Sequence, residues 1–162
     1  MQDPHVPFFD RLRRLLPGPV PSGALGRGTH ALERGRLDEA DAAFAEALAT
    51  AATPAQIAAA RNKRAIVAIR RRDVARAIDE LVAALEAEPR CAAAITTTGN
   101  LLLEDGAVDE AIVHYEYAIA VDDAYAPAYH NLGVALHRSG RKRDAVAMLR
   151  KATRLEGRIK RR

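Results

Sequence analysis

The chain has 162 residues, 49% of them apolar and only 4% aromatic, with no Trp, a formal net charge of +4 and a pI of about 9.6. That is one domain's worth of chain, and its abundant Ala favours closely packed helices over a bulky core. The single cysteine, Cys91, excludes a disulfide framework and a cysteine-based metal site. No run reaches the ~18 apolar residues needed to span a bilayer.

Residues 1–20 form a leader. Its apolar and basic residues are intermixed, unlike a secretory signal, which points to a cytoplasmic protein. Pro7 can open a helical turn there, and Pro17, Pro19 and Pro21 end it. Phe8, Phe9, Leu12, Leu15 and Leu16 fall near one face at helical spacing, with Arg11, Arg13 and Arg14 largely opposite. A short helix of this kind covers the apolar end of a helical stack or docks on a partner; a membrane-surface helix is disfavoured, because so short a segment with three Arg anchors weakly.

Residues 21–57 read as a helical hairpin turning at Glu33-Arg34-Gly35, where Gly can take the left-handed cap conformation. Thr53-Pro54-Ala55-Gln56 then has the form of a helix start, with Thr as N-cap, Pro at the first helical position and Gln closing a capping box. Residues 58–91 form a second hairpin. Arg72 stands at its turn in place of Gly, and Asp73 can cap the next helix. Residues 92–125 form a third around Glu104-Asp105-Gly106, and residues 126–159 a fourth around Ser139-Gly140. Lys160, Arg161 and Arg162 make a basic tail.

The last three units keep a 34-residue step, and the first carries three extra residues. Small residues recur at Gly28, Ala65, Gly99 and Gly133, at Ala40, Ala77, Ala111 and Ala145, and at Ala47, Ala84, Ala118 and Ala152. A larger residue recurs at Phe44, Leu81, Tyr115 and Leu149. Helices approach closely only where side chains are small, and larger residues fill the gaps beside them. In period and in these columns the chain resembles a tetratricopeptide repeat protein over residues 21–159. The resemblance implies an all-α fold: a right-handed superhelical solenoid of four antiparallel helix hairpins with a short N-terminal helix.

The chain departs from the family where large apolar residues are usual at the fourth and seventh positions of a unit. Ile95, Tyr129 and Leu132 comply, but the second unit has Arg61 and Arg64, and the first Ala24 and Arg27. The N-terminal half is therefore expected to be less stable, or its Arg side chains to be reserved for a contact outside the chain.

In this family the first helices line a concave groove that takes an extended peptide or a partner's helix. The resemblance places Asn62, Lys63 and Arg70 there from the second unit, Asn100 from the third, and His130, Asn131 and His137 from the fourth. Amides donate and accept at once, which suits a peptide backbone. The positions matching the chaperone-tail clamp of some relatives, Asn62, Ile66, Thr97, Pro127 and Asn131, hold no Lys or Arg, so no such clamp is expected.

Charge is segregated. From Arg61 to Arg76 there are seven basic residues, Arg61, Lys63, Arg64, Arg70, Arg71, Arg72 and Arg76, against one acid, Asp73. From Cys91 to His137 there is no Lys or Arg, and from Arg138 onward basic residues dominate. This order suits steering of a charged partner, or self-assembly of one protomer's middle with another's end. Nucleic-acid binding is disfavoured by the acidic centre and the lack of interleaved aromatics. Gly-rich phosphate loops, metal-spaced His/Cys sets and nucleophile elbows are missing, so neither an enzyme nor a cofactor is expected. The sequence thus points to a non-catalytic adaptor or assembly factor binding a protein or peptide, with a self-assembling scaffold as the alternative.

Overall fold

Local chemistry cuts the chain at four similar turns. In each, the residue at the turn has positive φ: Gly35 (72°), Arg72 (62°), Gly106 (87°) and Gly140 (84°). The next residue's N–H then reaches back to a carbonyl near the end of the preceding helix, Arg36 to Ala31, Asp73 to Ala68, Ala107 to Leu102 and Arg141 to Leu136, all at 2.9 Å. These bonds satisfy carbonyls that a helix end otherwise leaves bare. The computed structural model describes residues 23–159, so the expected leader helix over 1–20 and the basic tail over 160–162 lie outside the described residues.

Among the described residues there are eight helices and no strand: α1 (Ala24–Glu33), α2 (Leu37–Ala49), α3 (Pro54–Arg70), α4 (Val74–Ala87), α5 (Ala92–Glu104), α6 (Val108–Val121), α7 (Ala126–Arg138) and α8 (Lys142–Ile159). They pair as four hairpins, α1–α2, α3–α4, α5–α6 and α7–α8, stacked in chain order. The expected capping box forms at α3: the Thr53 hydroxyl accepts from the Gln56 N–H, and the Gln56 amide oxygen accepts from the Thr53 N–H. Asp73 caps α4 through the Arg76 N–H. Because the box starts α3 at Pro54, the repeat boundary at 57/58 falls inside that helix.

The recurring columns meet inside each hairpin. Gly28 lies against the buried Phe44 ring so closely that a Cβ at 28 would sit 2.4 Å from it, and a Cβ at Gly99 would sit 2.7 Å from the Tyr115 ring. Each bulky ring in the second helix therefore requires a residue without a side chain opposite it. Where the partner is the smaller Leu81, Ala65 suffices, and both are buried in one cluster. Ala40, Ala77, Ala111 and Ala145 are all buried where the helices of a hairpin cross.

The departures from the family pattern are filled from within the chain. Arg61 Nη1 and Arg64 Nη1 bond the two oxygens of the buried Glu80 at 3.0 and 2.8 Å. Arg64 Nε also bonds Asp41 Oδ1 at 3.1 Å, and Arg76 Nη2 holds both Asp41 oxygens at 2.9 and 2.7 Å. Arg71 joins Asp41 to Asp38, and Arg27 pairs with Glu46 at 2.7 Å. The expectation that Arg61 and Arg64 are reserved for an outside contact is thereby corrected: both guanidinium groups are engaged by carboxylates of α2 and α4. Burial alone would raise the Asp41 carboxyl. The hydrogen bonds from Arg76 and Arg64, with their charges, outweigh it and hold the group below its ordinary value.

Candidate partner-binding groove

Successive first helices touch one another, α1 with α3, α3 with α5 and α5 with α7. Successive second helices make no such contact among the described residues. The stack therefore curves with its first helices inside, and their common inner face is the groove.

Two of the expected groove residues come together there. Asn131 Nδ2, on α7, donates to Asn100 Oδ1, on α5, at 2.8 Å. The same oxygen accepts from the Tyr115 hydroxyl, on α6, also at 2.8 Å. Tyr115 is fully enclosed, and burial pushes its phenol up to about 12, with Arg138 opposing and Glu104 adding to the rise. It therefore stays protonated at neutral pH and always has a proton to donate. That fixes which way round both amides sit: Asn100 turns its oxygen inward to accept twice, and Asn131 spends an N–H on it. Among the described residues the Asn100 amide N–H2 and the Asn131 amide oxygen have no hydrogen-bond partner and are not enclosed, which leaves this bonded pair with one free donor and one free acceptor.

The remaining expected residues are spread out. His130 and His137 are exposed on α7, and Lys63 is half-buried on α3. Arg70 is exposed, but its Nη1 caps the end of α1 at the Leu32 carbonyl, 3.2 Å away. Arg138 does the same for α5 at Leu103, 3.1 Å away. A cation at a helix C-terminus also complements the helix dipole. Asn62 is buried, and its Oδ1 is enclosed without a hydrogen-bond donor among the described residues. The Thr96 and Thr97 hydroxyls donate to the carbonyls of Ala92 and Ala93, four residues back in their own helix. The groove thus offers polar groups chiefly in its C-terminal half.

Tyr115 is the residue that sequence reasoning assigned only to packing. Its signal was available: a hydroxyl in a column otherwise filled by Phe44, Leu81 and Leu149 needs a partner when buried. Among the described residues no group of three or more His, Cys, Asp or Glu side chains is placed to hold a metal ion, and no helix is long and apolar enough to cross a membrane.

Family models described as tetratricopeptide repeat match residues 25–89 and 126–158, and one described as TPR repeat matches residues 99–140. No curated protein sequence matches the chain. Among solved structures the fold is similar to MamA (TM-score 0.60, 22% identity, 95% of this chain and 88% of that one). It is also similar to YrrB, described as a TPR protein with an unusual peptide-binding site (TM-score 0.56, 23% identity, 83% and 68%). PilF of Pseudomonas aeruginosa aligns with TM-score 0.66 at 24% identity, over 82% of this chain and 59% of its own.

Proposed function

The chain belongs to the tetratricopeptide repeat family, and from that premise we propose that it is a non-catalytic adaptor or assembly factor that holds an extended segment of a partner protein in its concave groove. The repeat fold supports protein–protein interaction in general, and the similarity to YrrB is in keeping with a peptide ligand. The observation that carries the finer reading is the oriented pair at Asn100 and Asn131. A peptide unit presents one carbonyl and one N–H. The Asn100 N–H2 would donate to the carbonyl, and the Asn131 oxygen would accept from the N–H. Such recognition reads the backbone and tolerates varied side chains. The proposed contact set is completed by His130 and His137, exposed on α7, and by Lys63 and Arg70 of the second unit, with the buried Asn62 in the layer beneath.

The test begins with peptides selected from a random library on the immobilised protein. Loss of one groove hydrogen bond, worth about 0.5–1.5 kcal/mol, weakens binding about two- to tenfold. Asn131→Ala and Asn100→Ala are expected to weaken the selected peptides by that much. Val113→Ala, on the exposed outer face of α6, is expected to leave them unchanged. Selected peptides that bind all three variants as well as wild type would place recognition outside the groove.

A further inference from the structure

A hollow of about 420 Å³ lies where the first unit meets the second, walled by Gly23 and the start of α1 (Ala24, Gly26), the end of α2 and the turn after it (Ala47, Ala51) and the start of α3 (Ala55). Its origin is in the sequence. At the position of Ala24, the third and fourth units place Ile95 and Tyr129, both buried, and the second places Arg61 on Glu80. Ala24 fills none of that space, and its neighbours around the hollow are also small. The lining continues across Leu25, a large apolar residue left 39% exposed, onto the outer face of α1 at Thr29, His30 and Glu33. On α1, Thr29 and Glu33 correspond to Ile66 and Arg70 of α3, which contact the unit before them, so this part of α1, adjoining the hollow, is the uncovered end of the solenoid and needs a cover.

We propose that the hollow is the docking site of the chain's own leader, with the Phe8-Phe9 pair as its plug and Leu12 beside it. Three observations select that occupant. The leader's root is at the site, because Gly23, the first described residue, is itself part of the wall. The 14 residues from Phe9 to Gly23 can extend to about 45 Å, ample to fold back. The size also fits: an apolar cavity of ~150 Å³ takes a benzene ring, so the hollow holds more than one ring, and two of the chain's three Phe residues are in the leader. Arg11, Arg13 and Arg14 suit the same face, where Glu33 has no ion-pair partner within the described residues. Tethering favours the chain's own leader over another copy's, since a short linker gives a local concentration of order mM.

The chain has no Trp, so Phe9→Trp in the full chain is a single-site reporter. Its emission is expected to be blue-shifted relative to the denatured chain, at every protein concentration and at monomeric mass. Filling the hollow with Ala51→Leu or Ala55→Leu in the Phe9→Trp background should shift the emission back to the red. Ala51 lies between helices and Ala55 is exposed, and circular dichroism checks that helix content is retained. Emission equal to that of the denatured chain overturns the proposal. So does a blue shift that grows in only with dimer, which would mean exchange of leaders, or one that both filled variants leave unchanged while fully helical.

Discussion

The two halves of the solenoid use the same helices and the same turns but different contacts at two positions of each unit. In the C-terminal half Ile95, Tyr129 and Leu132 are buried among apolar neighbours, and Lys151 adds its ammonium over the Tyr129 ring at 5.6 Å. In the N-terminal half Arg27, Arg61 and Arg64 stand at such places, each on a carboxylate, and Ala24 leaves the fourth unfilled. The difference teaches that the repeat's geometry is set by the small-residue columns and the turns, which both halves share. What fills the remaining space can be apolar or ionic. The two solutions differ in cost: apolar filling gains from leaving water, whereas a buried ion pair must recover a large desolvation penalty through its geometry.

The largest test of that comparison is Arg64→Leu, which installs the residue usual in the family. By the apolar logic of the C-terminal half it should stabilise. By the ionic logic it removes a partner from the buried Glu80 and another from Asp41. Breaking a buried pair in this way costs about 3–5 kcal/mol. The lower end, about 3 kcal/mol, is expected here because Arg61 still holds Glu80 and Arg76 still holds Asp41. Hydrogen exchange resolved by segment should show the loss in α1–α4 and little change in α7–α8, as expected of a solenoid whose units contact only their neighbours. An unchanged or raised stability would mean that the network only occupies space.

A smaller effect separates the halves by pH. The Asp41 carboxyl is held below its ordinary value in the folded chain. Its contribution is therefore fully present above the ordinary carboxylate value of about 3.9, and it is lost as pH falls from there through the folded value. Exchange in α1–α4 should quicken across that acid window, and Asp41→Asn should remove this component of the pH dependence while lowering stability at neutral pH. A wild-type profile that Asp41→Asn reproduces would rule out Asp41 as the titrating group.

The architecture was legible because it is written in short-range terms. The small columns from Gly28 to Gly133, the capping box at Thr53 and Gln56 and the cap at Asp73 all depend on residues near in sequence or on a fixed period. The ionic filling was not legible. Arg64 meets Asp41 from 23 residues away and Arg61 meets Glu80 from 19, and in the sequence those acids read as ordinary surface charge. At the groove, the family resemblance placed Asn62, Asn100 and Asn131 on the first helices but could not distinguish depth. Burial of Asn62 depends on packing between neighbouring helices, and the orientation of Asn100 depends on a hydroxyl from α6. The hollow at Ala24 was equally hidden, since a void is a property of several small residues meeting in space.

The smallest effect concerns a turn, and it sharpens the contrast by removing one feature peculiar to the N-terminal half. Arg72 holds φ at 62°, where the other three turns have Gly. A side chain with a Cβ is strained in that region by roughly 1 kcal/mol, while Gly adopts it freely. Arg72 is exposed and forms no side-chain hydrogen bond or ion pair among the described residues, so replacement removes no such contact there. Against this, Gly loosens the unfolded chain, which offsets part of the gain. Arg72→Gly is therefore expected to stabilise by about 0.5–1 kcal/mol, read as a higher denaturant midpoint at unchanged slope. A midpoint that falls instead would show that the Arg72 side chain contributes something the other three turns do without, and that the N-terminal half differs from the C-terminal half in its turns as well as in its filling.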